Sequence, residues 1–272
     1  MTYEKIRLEA ADGVAVITLA DPATLNAAGL DMARELAHAF GVIAANDMQG
    51  GEVQARAVIL TGEGRGFCSG ANLSGDGAAG RAADVDGKPD IGAALEDVYN
   101  PLVSLLRGFP LPIVTAINGP AAGIGCSIAL LGDIVVAAQS AYFLQAFRRI
   151  GLVPDGGATY LLPRLVGKAR AMEMMLLGDK IPAATALSWG LINRCVPDAE
   201  LMPAATAIAQ DLARGPTALS TIRKLVWNSL DADWEEQLHA ERHAQKAAGK
   251  TDDFIEGVSA FLQKRPAAFK GR

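Results

Sequence analysis

The chain has 272 residues, half of them hydrophobic and a fifth charged, with a formal net charge of −5. That is the composition of a globular protein with enough chain for a substantial core in one or two domains, and the acidic balance removes nucleic acid as the default partner. No apolar run reaches the ~18 residues a membrane span needs. The charged start, MTYEKIRLEA, lacks a signal-peptide core, so no membrane partner is expected. Three widely spaced cysteines, Cys68, Cys126 and Cys195, fit free thiols in a reducing compartment, and a cytoplasmic location is expected.

Ile6 to Leu8 and Val14 to Leu19 alternate and are joined across Asp12-Gly13, which predicts a hairpin. Asp21-Pro22 opens a loop that continues through Leu25-Asn26-Ala27. A helix is predicted from about Leu30 to Ala45, with Met32, Leu36, Phe40 and Ile43 as its buried face. The polar stretch Asn46 to Gln54 reads as a loop, and Ala57 to Leu60 as a buried strand. Thr61 to Leu73, TGEGRGFCSGANL, is a glycine-rich loop directly after that strand. It is not a dinucleotide fingerprint, because Phe67 stands at the third glycine position, and Gly167-Lys168-Ala169 is not a P-loop. Ser74 to Gly92, rich in Gly, Ala and Asp, reads as a surface loop or short disordered stretch. A helix follows from about Ala94 to Gly108, with Val98, Leu102, Leu105 and Phe109 on one face.

Pro112 to Ala137, PIVTAINGPAAGIGCSIALLGDIVVA, reads as strand, glycine-rich turn, helix, strand. Its turn contains almost no side chains. Backbone N–H groups at the helix start can therefore face a ligand, as anion and oxyanion sites require, although close helix–strand packing also demands small residues. A third such turn lies in Ile150 to Gly167, IGLVPDGGATYLLPRLVG. Ala183 to Trp189 reads as a short helix ended by Gly190, and Leu191 to Val196 as an extended segment. From Asp198 the pattern is helical. This gives an expected α/β core over 1–197 and an all-helical region over 198–272. The stripe Leu219, Ile222, Val226, Leu230 there reads as a cap on its own core or as an oligomer surface, and architecture favours the second.

Asp155 is the candidate acid/base group. It follows an apolar segment, where a carboxylate pKa rises, though it also suits the N-cap of a helix over Ala158 to Leu162. Ser127 has no histidine placed to activate it. His239 and His243 have metal-ligand spacing but sit in a charged, solvated context, and no metal is expected.

Read together, these motifs resemble the crotonase, or enoyl-CoA hydratase/isomerase, superfamily. The match runs through Asp21–Leu36, Leu60–Leu73, Pro110–Ala137, Gly151–Gly167, Gly178–Val196 and Glu256–Arg265. The resemblance implies a spiral of ββα units, with C-terminal helices that mediate homo-trimers and often hexamers. It implies an acyl-CoA thioester as substrate, with no separate cofactor. By motif, the backbone amides of Ala71 and Ile124, the latter after Gly123, form the oxyanion hole. Leu25, Ala27, Arg65, Phe67, Asn72 and Leu73 border the CoA and substrate site, and Lys264 is a basic position able to reach CoA phosphates, including across a subunit interface. Hydratase members use two glutamates where this sequence has Ser127 and Phe147. Asp155 matches the acidic residue of isomerase-type members. The segment QAFRRIGLVPDGG, with Tyr99-Asn100-Pro101-Leu102 upstream, looks closest to the ring-epoxyphenylacetyl-CoA isomerase type.

Overall fold

A computed structural model of the chain describes residues 2–49, 55–72, 86–88 and 90–272. Leu73, most of Ser74–Gly92 and much of the Asn46–Gln54 loop lie outside the described residues. Strands β1 (Ile6–Ala11) and β2 (Val14–Leu19) form the expected antiparallel hairpin. Asp12 and Gly13 both have positive φ, as a tight two-residue turn with the right twist requires. The sheet then grows by parallel addition of β3 (Ala57–Gly62), β4 (Ile113–Ile117), β6 (Ile134–Ala138) and β9 (Arg194–Val196). Strand β4 is buried along its whole length, as an apolar run in a parallel sheet should be.

A smaller sheet holds β5 (Pro120–Ala122), β7 (Tyr142–Leu144) and β8 (Ile181–Pro182). Successive strands therefore alternate between two sheets before each helix. After β3, Cys68 bridges to Ala121 within β5; β4 leads to β5 and then to a short helix over Ile124–Leu130. This is the mixed α/β spiral that the resemblance implies. The short strand β5 was not apparent in the sequence, where its small residues read only as turn.

Helix α1 (Leu30–Gln49) buries Met32, Leu36, Phe40 and Ile43 and continues past the expected stop at Ala45. Its buried Glu35 accepts the amides of Glu4 and Lys5 and so ties down the start of the chain. Helix α2 (Asn100–Gly108) is preceded by a π-turn over Leu95–Tyr99. Pro101 has no amide hydrogen to donate into that turn. Leu106 is buried and Leu105 only partly so, correcting the predicted stripe. Helix α3 (Ile124–Leu130) is short and wholly buried. Helix α4 (Ala158–Leu177) is much longer than expected and breaks at Gly167 (φ 78°, ψ 161°). Helix α5 (Ala183–Trp189) stops at left-handed Gly190, as read from the sequence.

Helices α6 (Leu201–Ala213), α7 (Ala218–Ser229), α8 (Trp234–Ala248) and α9 (Asp252–Leu262) complete the described chain. The expected boundary at 197/198 does not separate two cores. Helix α6 packs on β3 and β4 and buries Leu201, Ala205, Ala209 and Ala213 in the same cluster as the sheet. In α7 the residue that is buried is Arg223, while Ile222 and Val226 are 53% and 61% exposed. Arg223 pairs with Asp133 at 2.7 Å and donates to the carbonyls of Leu106, Arg107 and Phe109 at the end of α2. Among the described residues no helix is long and apolar enough to cross a membrane.

Candidate active site

Two glycine-rich turns and the start of α4 converge on one cavity of about 310 Å³. The first turn follows β3. Asn26 holds its base: the side chain donates to the carbonyls of Glu63 (3.0 Å) and Gly66 (2.7 Å) and accepts the amide of Asp21 (2.8 Å). Asn26 is fully buried with φ +58°, a conformation asparagine tolerates better than most residues. Further along, Ala28 pairs with Ala71, its amide donating to Gly70 O at 2.7 Å. Tyr99 Oη donates to Ala28 O at 2.6 Å, so the π-turn braces the segment that carries Ala71.

The second turn follows β4. Asn118 and Gly119 fold back on the first turn, where a Cβ on Gly119 would overlap Arg65 O. Gly123 has φ +53°, ψ −125°, outside the range of ordinary residues, and starts α3. Ile124 is thus the first helical residue, and its amide is one of the orphan donors of a helix start. Among the described residues neither the Ile124 nor the Ala71 amide has a protein acceptor, and both residues line the cavity. Two unspent N–H donors on residues lining one cavity are the kind of group that an oxyanion site requires.

Asp155 faces the same space from the turn before α4. It does not cap that helix: Gly157 occupies the cap position, and no side chain caps it. Instead Asp155 contributes its main-chain carbonyl to the turn, accepting Ala158 N at 3.0 Å and Ser127 Oγ at 3.2 Å. Its Oδ1 is buried without a hydrogen-bond partner among the described residues. Burial pushes the carboxyl up to about 6, opposed only by its own backbone amide. The nearby Tyr99 hydroxyl is pushed up to about 12, first by burial and then by the Asp155 charge. The other charged side chains lining the described cavity are Asp90 and Arg149, and Arg149 already donates to Gly178 O at 2.6 Å. The Phe147 ring covers Gly123, where an added Cβ would touch its Cζ at 3.5 Å.

The structure therefore brings Ala71, Asn72, Gly123, Ile124 and Asp155 to one cavity. Leu25, Ala27 and Arg65 do not line it; they lie on the flank of the first turn, where Leu25 O accepts Ser69 N at 3.0 Å. Phe67 is a correction: it is fully buried, so its side chain offers no surface to a ligand. Lys264 is exposed just after α9 and does not line the cavity. Cavity residues to which no site role was assigned from sequence include Leu30, Leu95, Tyr99 and the apolar rim Ile150 and Leu152. Tyr99 carried one signal, a phenol on an otherwise apolar helix face.

A model of the family described as enoyl-CoA hydratase/isomerase matches residues 9–272. The chain is 45% identical over 273 aligned residues, covering 100% of both chains, to a Rhodobacter capsulatus protein named "Probable enoyl-CoA hydratase". It is 42% identical to the 1,2-epoxyphenylacetyl-CoA isomerase of Escherichia coli K12, covering 96% of each. Among solved structures, the enoyl-CoA hydratase from Bacillus anthracis superposes with a TM-score of 0.88 at 30% identity, covering 99% of this chain and 100% of that one.

Proposed function

The chain belongs to the enoyl-CoA hydratase/isomerase family, acting on acyl-CoA, and we propose that within it this enzyme is an enoyl-CoA double-bond isomerase of fatty-acid or aromatic-acid (phenylacetate-type) catabolism. The observation that carries the reading is a half-buried carboxylate, Asp155, sharing a cavity with two amides that have no acceptor among the described residues. The Ala71 and Ile124 amides form the oxyanion hole and polarise the thioester carbonyl. Asp155 takes a proton from the acyl chain, the enolate oxygen rests on the two amides, and Asp155 returns the proton at another carbon. One carboxylate suffices because the same proton leaves and comes back, and burial keeps its pKa close enough to neutrality for both transfers. The reaction needs no metal or redox cofactor, since CoA is part of the substrate.

The CoA moiety lies along Leu25, Ala27 and Arg65, with Lys264 supplying charge for its phosphates. The exposed apolar stripe of α7, which lines a second groove of about 420 Å³ with Leu165 and Trp227, supports a homo-trimer or a hexamer built from two trimers. Free thiols at Cys68, Cys126 and Cys195 suit a cytoplasmic setting.

The name of the Rhodobacter relative favours a second reading, enoyl-CoA hydratase with atypical acid/base residues. Ser127 and Phe147 oppose it, because neither side chain can manage an attacking water by proton transfer. One experiment separates the two. 3-Enoyl, 2-enoyl and aryl-epoxide CoA thioesters are supplied in oxygen-18 water, and products are identified by mass and NMR. Isomerisation moves the double bond or opens the epoxide without label, whereas a labelled 3-hydroxyacyl product from the 2-enoyl substrate sinks the isomerase assignment. An inert protein that still binds CoA would be an acyl-CoA-binding scaffold.

A further inference from the structure

The mechanism above uses the Asp155 carboxylate but leaves unexplained what holds it in place. Asp155 sits between Pro154 and two glycines of positive φ, Gly156 (+58°) and Gly157 (+79°), a sequence with little local stiffness of its own. Among the described residues, its buried Oδ1 has no hydrogen-bond partner that would fix it. The fixed point is the main chain. Ser127 Oγ, on a residue only 1% exposed, donates to Asp155 O at 3.2 Å. Ser127 lies three residues after Ile124, so both side chains project from the same face of α3. That face meets the Asp155 turn closely: a Cβ on Gly156 would overlap Ile124 Cδ1 and come within 3.0 Å of Ser127 Cβ. The turn that carries the carboxylate is thus seated on the first turn of the helix whose leading amide is the Ile124 donor.

We infer that Ser127 is a positioning residue: its hydroxyl, with the close seat at Gly156, fixes the height of Asp155 above the Ile124 amide and so the gap in which the acyl carbon must sit. The inference rests on the isomerase reading of the same cavity. It assigns Ser127 a task other than nucleophile or proton carrier. It also explains why a small hydroxyl residue stands there: a longer side chain would need the space that the Asp155 carbonyl and Gly156 already fill. Proton transfer between a carboxylate and carbon depends steeply on that gap, whereas CoA binding on the far side of the first turn does not.

The test is steady-state kinetics of the full-length Ser127→Ala enzyme on the best isomerase substrate from the panel above, with hydrogen exchange of the 155–158 amides as a second measurement. The expected result is a kcat lower by roughly 10- to 100-fold with KM within about twofold, faster exchange at 155–158, and an acid limb of the kcat/KM profile displaced to lower pH as the freed carboxylate meets more water. The titratable neighbours that share the cavity, Asp90, Tyr99 and Arg149, are untouched by the substitution. A Ser127→Ala enzyme with wild-type kcat overturns the inference. So does one whose kcat loss comes with a matching rise in KM and an unmoved acid limb, the mark of a merely structural role. Asp155→Asn tells the two levels apart: if it retains turnover the isomerase reading fails, and if it is inert while Ser127→Ala is unimpaired only the positioning role fails.

Discussion

Asp133 and Asp155 stand at opposite ends of α3, both carboxylates set against apolar core, and the fold treats them in opposite ways. Beyond the C-terminal end, Asp133 is saturated. It accepts the Ile113 amide at 2.7 Å, the Trp227 indole at 2.9 Å and the Arg223 guanidinium at 2.7 Å. At the N-terminal end, Asp155 is held, among the described residues, by its backbone, with one carboxylate oxygen buried and unpartnered. A satisfied carboxylate is a structural rivet; a buried, under-partnered one is unstable where it is and exchanges a proton readily. The difference lies in what the neighbouring elements bring. Helix α7 delivers an arginine and a tryptophan to one, while the facing α3 turn offers the other only Ile124 and the Ser127 hydroxyl.

The sharpest way to break the comparison is Asp155→Asn. On the proposed isomerase function, turnover is expected to fall by at least about 10³-fold with acyl-CoA binding retained, because this variant lacks the proposed proton carrier while the cavity is intact. The same variant should melt at a higher temperature at pH 7.5. The folded-state pKa of Asp155, about 6, lies above that of an unfolded aspartate, so the ionised group opposes folding above pH 6. That cost disappears as the pH falls and the carboxyl takes up its proton. The gain in Tm should therefore shrink at pH 5, and an equal gain at both values would contradict the assigned shift.

Next in size is the donor amide. Proline is tolerated at the first helical position and has no N–H. Ile124→Pro is thus expected to show a kcat about 10²–10³-fold below that of Ile124→Ala, which keeps the amide but loses the same side-chain packing. Equal kcat values for the two would remove Ile124 from the proposed oxyanion hole. At the other carboxylate the prediction reverses. Arg223→Met leaves Asp133 facing the core without its cation and should cost about 3 kcal/mol of stability, read by denaturant unfolding, while kcat of the folded enzyme stays within about twofold. A large kcat effect with unchanged stability would show the Asp133 end to be coupled to the chemistry.

Much of this was legible in the sequence, and the reason is local. The Asp12-Gly13 hairpin, the α5 stop at Gly190 and the two glycine-rich turns follow from backbone preferences confined to a few residues. What could not be read depends on contacts between distant segments. Arg223 looks like a surface residue beside an apolar stripe, and only the approach of α2 and Asp133 makes it the buried member of α7. Phe67 was assigned to a ligand wall by motif, yet packing decides that it faces the core. Asp155 looked like an N-cap because Asp before Gly-Gly-Ala is a good helix start. The seat on α3 takes its carbonyl instead and leaves Gly157 at the cap.

The isolated bridges Ala28–Ala71 and Cys68–Ala121 have a consequence for the order of events in folding. The loop bearing the Ala71 amide is closed by one segment far before it and one far after it, each through an isolated bridge and a few neighbouring hydrogen bonds. Neither closure is rewarded until long stretches of chain have already been ordered, which places them late and makes them slow. The helices can form from local contacts well before that. During refolding, recovery of helical circular dichroism should therefore run ahead of recovery of turnover, and the lag between the two measures how long the nascent enzyme exists as a helical, sheet-bearing body without its finished active-site loop.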